Sequence, residues 1–228
     1  MTVKLLTEQI VVSKRLGRHV HFDERSKSFR VKLDSVPTDL VSKTWKRTIK
    51  PFDQGQIGSC TGNGAVGLLA TEPYKQKYKR YNEKLAVKVY SLASSIDEFP
   101  GQYPPEDTGS SVLASMKALQ KLTLCKNYHW CLGLDDVLKT LSHVGPVSVG
   151  VNWYEGFDSP DATGRVTVSG QIRGGHCFEI LGIDVENKLV IAENSWGAGW
   201  GVQGRFNFSF DDLDRLLKEE GEAATVIL

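Results

Sequence analysis

Apolar and polar positions follow two different rhythms along the chain, with the change near residue 143. Residues 1–50 are polar and weakly periodic, with Pro37 and a serine-rich run, and predict an extended arm carrying short strand or helix pieces and no core of its own. Residues 65–70 form an unbroken apolar run that predicts a short buried helix, and its small side chains permit close packing. Glu72 and Pro73 should end that segment. Tyr74, Tyr78, Tyr81, Leu85, Val89 and Leu92 then recur at three- and four-residue spacings, which predicts one face of a helix or of a broken helical pair. Residues 99–111 are rich in proline and glycine and predict a loop. It feeds a helix through Val112, Leu113, Met116 and Leu119.

Beyond residue 143 strand patterns take over. Residues 146–153 and 205–210 alternate in period two, and 176–183 and 188–192 read as further strands. The segments 134–141 and 211–217 look helical, the latter with aspartates at the end where the helix dipole favours them. The expectation is an α+β chain: a basic arm at 1–50, then one unit of a helical lobe (about 51–142) and a β-rich lobe (about 143–228).

Composition narrows the function classes. A length of 228 residues suffices for a real core, and a net charge of +1 gives no general attraction to nucleic acid. The charge is uneven: residues 1–50 hold 12 Lys/Arg against 5 Asp/Glu, leaving 16 against 22 for the rest. Complementary charge should help the arm lie against the body. Neither a signal peptide nor a membrane span is visible. Four cysteines do not make a disulfide framework, so a reducing, cytoplasmic setting and a monomer are expected. Cys125, His129 and Cys131 lack a fourth ligand, and His19 and His21 with Asp23 are expected to face solvent, so no metal and no cofactor are expected.

The candidate chemistry begins at Cys60, which the pattern places at a loop-to-helix junction. Unpaired N–H groups and the dipole there favour a thiolate, although a lone cysteine is also compatible with plain core packing. Gln54, six residues upstream, carries an amide able to donate to an oxyanion together with the Cys60 N–H. Gly174 and Gly175 precede His176 at the start of an expected strand, and Asn194 ends another, followed by Ser195, Trp196, Gly197, Gly199, Trp200 and Gly201. Each taken alone has a structural explanation.

Taken together, Gln54 with Cys60 at a helix start, the later Gly-His, and the Asn-Ser-Trp-Gly-x-Gly-Trp-Gly run resemble the papain-like cysteine peptidases in order and spacing, from about residue 52 to 210. The resemblance implies a two-lobe fold with a barrel-like second lobe and a cleft between the lobes. It implies Cys60 as nucleophile, His176 as its acid/base partner, Asn194 as the group orienting the imidazole, and Gln54 as oxyanion donor. Trp196 would shield the Asn–His hydrogen bond, Gly109 would hydrogen-bond substrate backbone, and Gly175 would leave a pocket wall open to substrate. Thr61 stands where the family usually has tryptophan, and Ile57 where secreted relatives have a disulfide cysteine. The short arm and the sequence around Cys60 are similar to the compact bacterial and bacteriophage branch, and imply an intracellular enzyme that is not a conventional zymogen. The implied activity is endopeptidase cleavage of protein or peptide substrates. An amidase, isopeptide deconjugase or acyltransferase on the same fold, and a silent binding module, are the alternatives.

Overall fold

The computed structural model describes residues 1–9, 15–77 and 79–228. Tyr78 of the expected tyrosine-rich stripe lies outside them. Two short arm strands, β1 (Thr2–Lys4) and β2 (Val20–Phe22), pair antiparallel, a 3-10 turn follows at Glu24–Phe29, and β3 (Lys43–Thr44) closes the arm. Three helices come next: α1 (Cys60–Ala70), α2 (Glu83–Ser94) and α3 (Val112–Lys121). The remainder alternates β4 (Asn127–Cys131), α4 (Leu134–His143), β5 (Val147–Tyr154), β6 (Ile172–Asp184), β7 (Leu189–Glu193), β8 (Arg205–Ser209), α5 (Phe210–Lys218) and β9 (Glu222–Ile227).

Side-chain caps start several helices where the local sequence supplies them. Asn82 accepts from the Leu85 N–H, Ser111 from Ala114, and Ser209 from Asp212, each satisfying a donor that the first helical turn leaves unpaired. The tyrosine-rich stripe therefore does not form one helix: α2 begins at Glu83 behind its cap, while Tyr74 reaches the core from a turn and Tyr81 from the irregular segment before the cap. Every residue of α1 is buried, so glycine matters there. A Cβ on Gly62 would stand 2.3 Å from the Ala86 carbonyl of α2, and one on Gly64 would stand 2.9 Å from the Cys177 sulfur of β6.

The antiparallel sheet runs β4-β9-β5-β6-β7-β8, and β3 also pairs with β6. It is open, so the barrel-like lobe implied by the resemblance is a curved sheet without closure. Two apolar clusters flank it. Trp153, Phe157, Phe178, Phe206 and Phe208 centre one, which also takes Val137, Leu138 and Leu141 of α4. Cys60, Leu68, Val89, Leu113, Met116, Leu119 and Cys177 belong to the other. Packing thus changes sides at β4, where Trp130 joins the helical cluster and Cys131 the sheet cluster.

The arm is an integral part of this body. Leu16 and Val31 are buried in the sheet cluster, and four arginines meet carboxylates of the body, Arg15 reaching Asp107 at 3.1 Å. Arg18 pairs with Glu222 at 2.9 Å, Arg30 with Asp136 at 2.7 Å, and Arg47 with both Glu179 and Glu193. The charge asymmetry along the sequence therefore corresponds to specific contacts. His19 and His21, expected in solvent, are buried, because the arm folds under the 99–111 loop and both rings pack on Phe99.

Candidate active site

Cys60 opens α1, and its sulfur lies against the backbone N–H of Cys177, the residue after His176 on β6. Cys177 itself turns its side chain toward Gly64, one turn along the same helix. The close approach of α1 to β6 therefore sets Cys60 against the residue that follows His176, despite their separation in sequence. His176 Nε2 is 2.8 Å from Asn194 Oδ1, and His176 Nδ1 is buried with no hydrogen-bond partner. Asn194 follows the last residue of β7, so two paired neighbouring strands hold imidazole and amide in register. The Trp196 ring lies over His176 at 5.0 Å and 34°, and Trp153 meets it edge-on at 4.7 Å, which excludes water from the His–Asn contact.

Gln54 is fixed at both ends of its amide. Its Oε1 accepts from Ser195 Oγ at 2.6 Å, and its Nε2 donates to the Ile57 carbonyl at 2.8 Å and reaches the Leu16 carbonyl at 3.4 Å. The donor proposed from sequence for an oxyanion is thus facing a carbonyl of the arm. Leu16 begins a stretch of arm lying in the cleft. The Gly17 and Arg18 N–H groups donate to the Gly175 carbonyl at 3.1 and 2.9 Å, Ser110 N–H donates to Gly17, and His19 N–H donates to Ser110. Trp196 Nε1 donates to the Arg15 carbonyl at 3.2 Å. Gly175 lies against the arm backbone: a Cβ there would fall 2.1 Å from the Arg18 carbonyl. Gly109 likewise lies against the arm, a Cβ there falling 2.4 Å from the Gly17 carbonyl; its N–H donates to the Tyr90 hydroxyl, and the backbone pairing is made by Ser110, one residue on.

Burial decides the protonation of the pair. It pushes the Cys60 thiol well above its ordinary range, outweighing the favourable N–H groups of Cys177 and Thr61. It pulls His176 down to about 4, against the Asn194 hydrogen bond. The helix-start argument alone predicts a lowered thiol. In the folded chain desolvation is the larger effect, and it favours the neutral thiol and the neutral imidazole.

Sequence reasoning did not find Leu16, Gly17, Arg18, Ser110 or Glu222 as cleft residues. The one signal pointing to them was the charge contrast between arm and body. No group of three His, Cys, Asp or Glu side chains among the described residues is placed to hold a metal, and the Cys131 sulfur instead faces Thr140 Oγ1 at 3.5 Å. No described helix is long and apolar enough to cross a membrane.

Comparison with known proteins follows the same lines. The whole-chain fold is similar to that of xylellain, a cysteine protease from Xylella fastidiosa, with a TM-score of 0.73 at 16% identity over 96% of this chain and 99% of that one. It is also similar to digestive procathepsin L 3 of Tenebrio molitor larval midgut, with a TM-score of 0.61 at 16% identity over 93% and 84% of the two chains. In sequence it is 24% identical to an uncharacterised peptidase C1-like protein of Acanthamoeba polyphaga mimivirus over 73% of this chain. It is 33% identical to cathepsin B-like cysteine proteinase 3 of Caenorhabditis elegans over 31% of this chain. The matched regions span 66% of the viral protein and 20% of the nematode one. The papain family cysteine protease pattern matches residues 96–218, the part carrying His176 and Asn194 and not Cys60. The chain belongs to the papain family of cysteine proteases.

Proposed function

We propose that this chain is a cysteine peptidase that hydrolyses peptide bonds, with Cys60 as nucleophile, His176 as general acid and base, Asn194 as the orienting amide and Gln54 as oxyanion donor. The observation that carries the reading is the His176–Asn194 bond through Nε2, which leaves Nδ1 buried and unpartnered on the residue before the Cys177 whose N–H meets the Cys60 sulfur. When the arm segment moves aside and water enters, the cause that holds both groups neutral is removed. The thiol proton then passes to Nδ1, giving a thiolate at a helix N-terminus and an imidazolium braced by Asn194.

The thiolate attacks the substrate carbonyl. The oxyanion takes the donors of Gln54 Nε2 and the Cys60 N–H, as the Leu16 carbonyl takes the Gln54 amide in the resting chain. The imidazolium protonates the leaving amine as the C–N bond breaks, forming a thioester. Water, deprotonated by the now neutral imidazole, attacks the thioester and releases a carboxylic acid and the thiol. All four cysteines are free, which supports a reducing compartment such as the cytoplasm as the working location.

The test is cleavage of a fluorogenic peptide library by the full chain and by Cys60→Ala. Turnover by the first and none by the folded variant are expected. Equal turnover by both rejects Cys60, and hydrolysis of small amides or isopeptides with no peptide cut replaces peptidase by amidase or deconjugase.

A further inference from the structure

A small chamber lies among α1, β6 and β7, bounded by Asn63, Gly64, Glu179, Glu193, Asn194 and Arg47 of the arm. It offers about 10 Å³ to the centre of a water molecule, about the least that holds one. Asn194 Nδ2, Arg47 Nε, Asn63 Oδ1 and Glu193 Oε1 are all buried there without a hydrogen-bond partner. Arg47 Nε and Glu193 Oε1 are 3.2 Å apart, yet not aligned to bond each other. Glu179 has Arg47 and the Thr71 hydroxyl for its own carboxylate.

Both amides are oriented from their other ends. Asn63 Nδ2 donates to the Ser59 carbonyl and to the Ser59 hydroxyl, each at 2.9 Å, so its Oδ1 must find a donor elsewhere. Asn194 Oδ1 accepts from His176 Nε2 at 2.8 Å and from the Ser195 N–H at 2.7 Å, so its Nδ2 must find an acceptor elsewhere. We propose that a single buried water occupies the chamber and that Asn63 is a positioning residue acting through it. The water accepts from Asn194 Nδ2 and Arg47 Nε and donates to Asn63 Oδ1 and Glu193 Oε1. The proposal rests on the peptidase reading of the site.

Two donors and two acceptors are the complement of one water, which needs about two to four polar partners. Charge favours a neutral occupant. Glu179 and Glu193 are matched by Arg47 and Arg205, so the lining carries no surplus that a cation would relieve. The consequence falls on the acid/base pair. Turned over, the Asn194 amide would set Nδ2 against the Nε2 proton of the imidazolium, two donors face to face. With a water held by Asn63, the orientation that braces His176 is the one in which every donor has an acceptor. The same water ties the helix that opens with Cys60, three residues before Asn63, to the strand end that carries Asn194.

The first test is a high-resolution crystal structure of the full chain. One ordered water about 2.7–3.2 Å from both Asn194 Nδ2 and Asn63 Oδ1 is expected. A dry chamber, or a direct bond between the two amides, overturns the proposal. The second compares the native chain with Asn63→Leu, which removes the acceptor and fills the chamber, or with Asn63→Val where the leucine variant does not fold. On a peptide that the native chain cuts, kcat should fall by about tenfold or more while KM stays within about twofold. Solvent exchange of the His176 Nε2 proton, followed by NMR on isotope-labelled histidine, should quicken in the same variant. An unchanged kcat, or a lowered kcat with the exchange of that proton unchanged, overturns the positioning role. Neither the water nor the proton exchange requires turnover, so a native chain that cuts no peptide rejects the peptidase reading while the chamber is still put to the test.

Discussion

Arg47→Met gives the sharpest test of how the arm is locked to the strands that carry His176 and Asn194. In the native chain Arg47 is nearly fully buried and pairs with Glu179 of β6, while its Nε lies 3.2 Å from Glu193, the residue before Asn194. Glu193 keeps a second partner in Arg205 at 3.3 Å. Glu179 keeps only the Thr71 hydroxyl, so the loss falls mainly on it. Burial already pushes Glu179 up to about 6 from 4.5 with Arg47 beside it, which costs about 2 kcal/mol at pH 7.

Stranding a buried partner of this kind costs about 3–5 kcal/mol. For a chain of this size that is a fall in Tm of roughly 6–20 °C. The pH dependence has a definite sign. The folded pKa of Glu179 lies above the unfolded one, so its contribution is greatest below pH 4.5 and is lost as pH rises through 6. Removing Arg47 raises that pKa further, and protonation then relieves the variant more than the native chain. The Tm gap between them should therefore shrink from pH 7 to pH 5 in differential scanning calorimetry. A loss below about 1 kcal/mol at pH 7, or a gap that widens toward pH 5, would refute the reasoning.

Three further outcomes are expected. At pH 7 iodoacetamide should label Cys60 slowly in the intact chain, and Arg18→Ala should speed it by loosening the arm; fast labelling of the native chain in mass spectrometry would count against burial as the controlling effect. His19 accepts from the Leu6 N–H through Nδ1 at 3.1 Å while Nε2 meets the Thr108 carbonyl at 2.5 Å, and burial lowers its pKa. Protonation would set a proton on Nδ1 against the Leu6 donor, so Cys60 labelling, corrected for the intrinsic pH dependence of thiolates, should rise as pH falls below 6.5, and the rise should vanish in His19→Gln. Gly64→Ala should cost about 1–3 kcal/mol in urea unfolding, since its Cβ would stand 2.9 Å from the Cys177 sulfur and 3.1 Å from Ser148 Oγ; a neutral effect would mean that α1 can shift away from β6.

The proposed constellation was legible because each member sits at a local signature: Cys60 before an apolar run, His176 behind two glycines at a strand start, Asn194 before a tryptophan-glycine turn. Periodicity also located α3, α4, α5 and β5 through β8. β4 and β9 escaped it. They pair with each other and carry their pattern in contacts more than 90 residues apart, and five of the six residues of β9 are buried, so neither alternates cleanly. The arm escaped for a related reason. Its polar composition signals exposure, yet Arg18 and Arg47 are buried because carboxylates far along the chain meet them, and that complementarity has no local period. Burial pushes the Cys60 thiol up despite the N–H groups at the helix start, and burial is a tertiary feature without a local signature.

The meeting of Cys60 with His176 is tested most directly by a peptidyl epoxide applied after the cleft segment is loosened by Arg18→Ala, with the adducts mapped by mass spectrometry. A single adduct on Cys60, formed far faster than on Cys125, Cys131 or Cys177 and lost when His176→Ala is added, is the expected result. Adducts spread evenly over the four cysteines, or a Cys60 rate unchanged by His176→Ala, would contradict it.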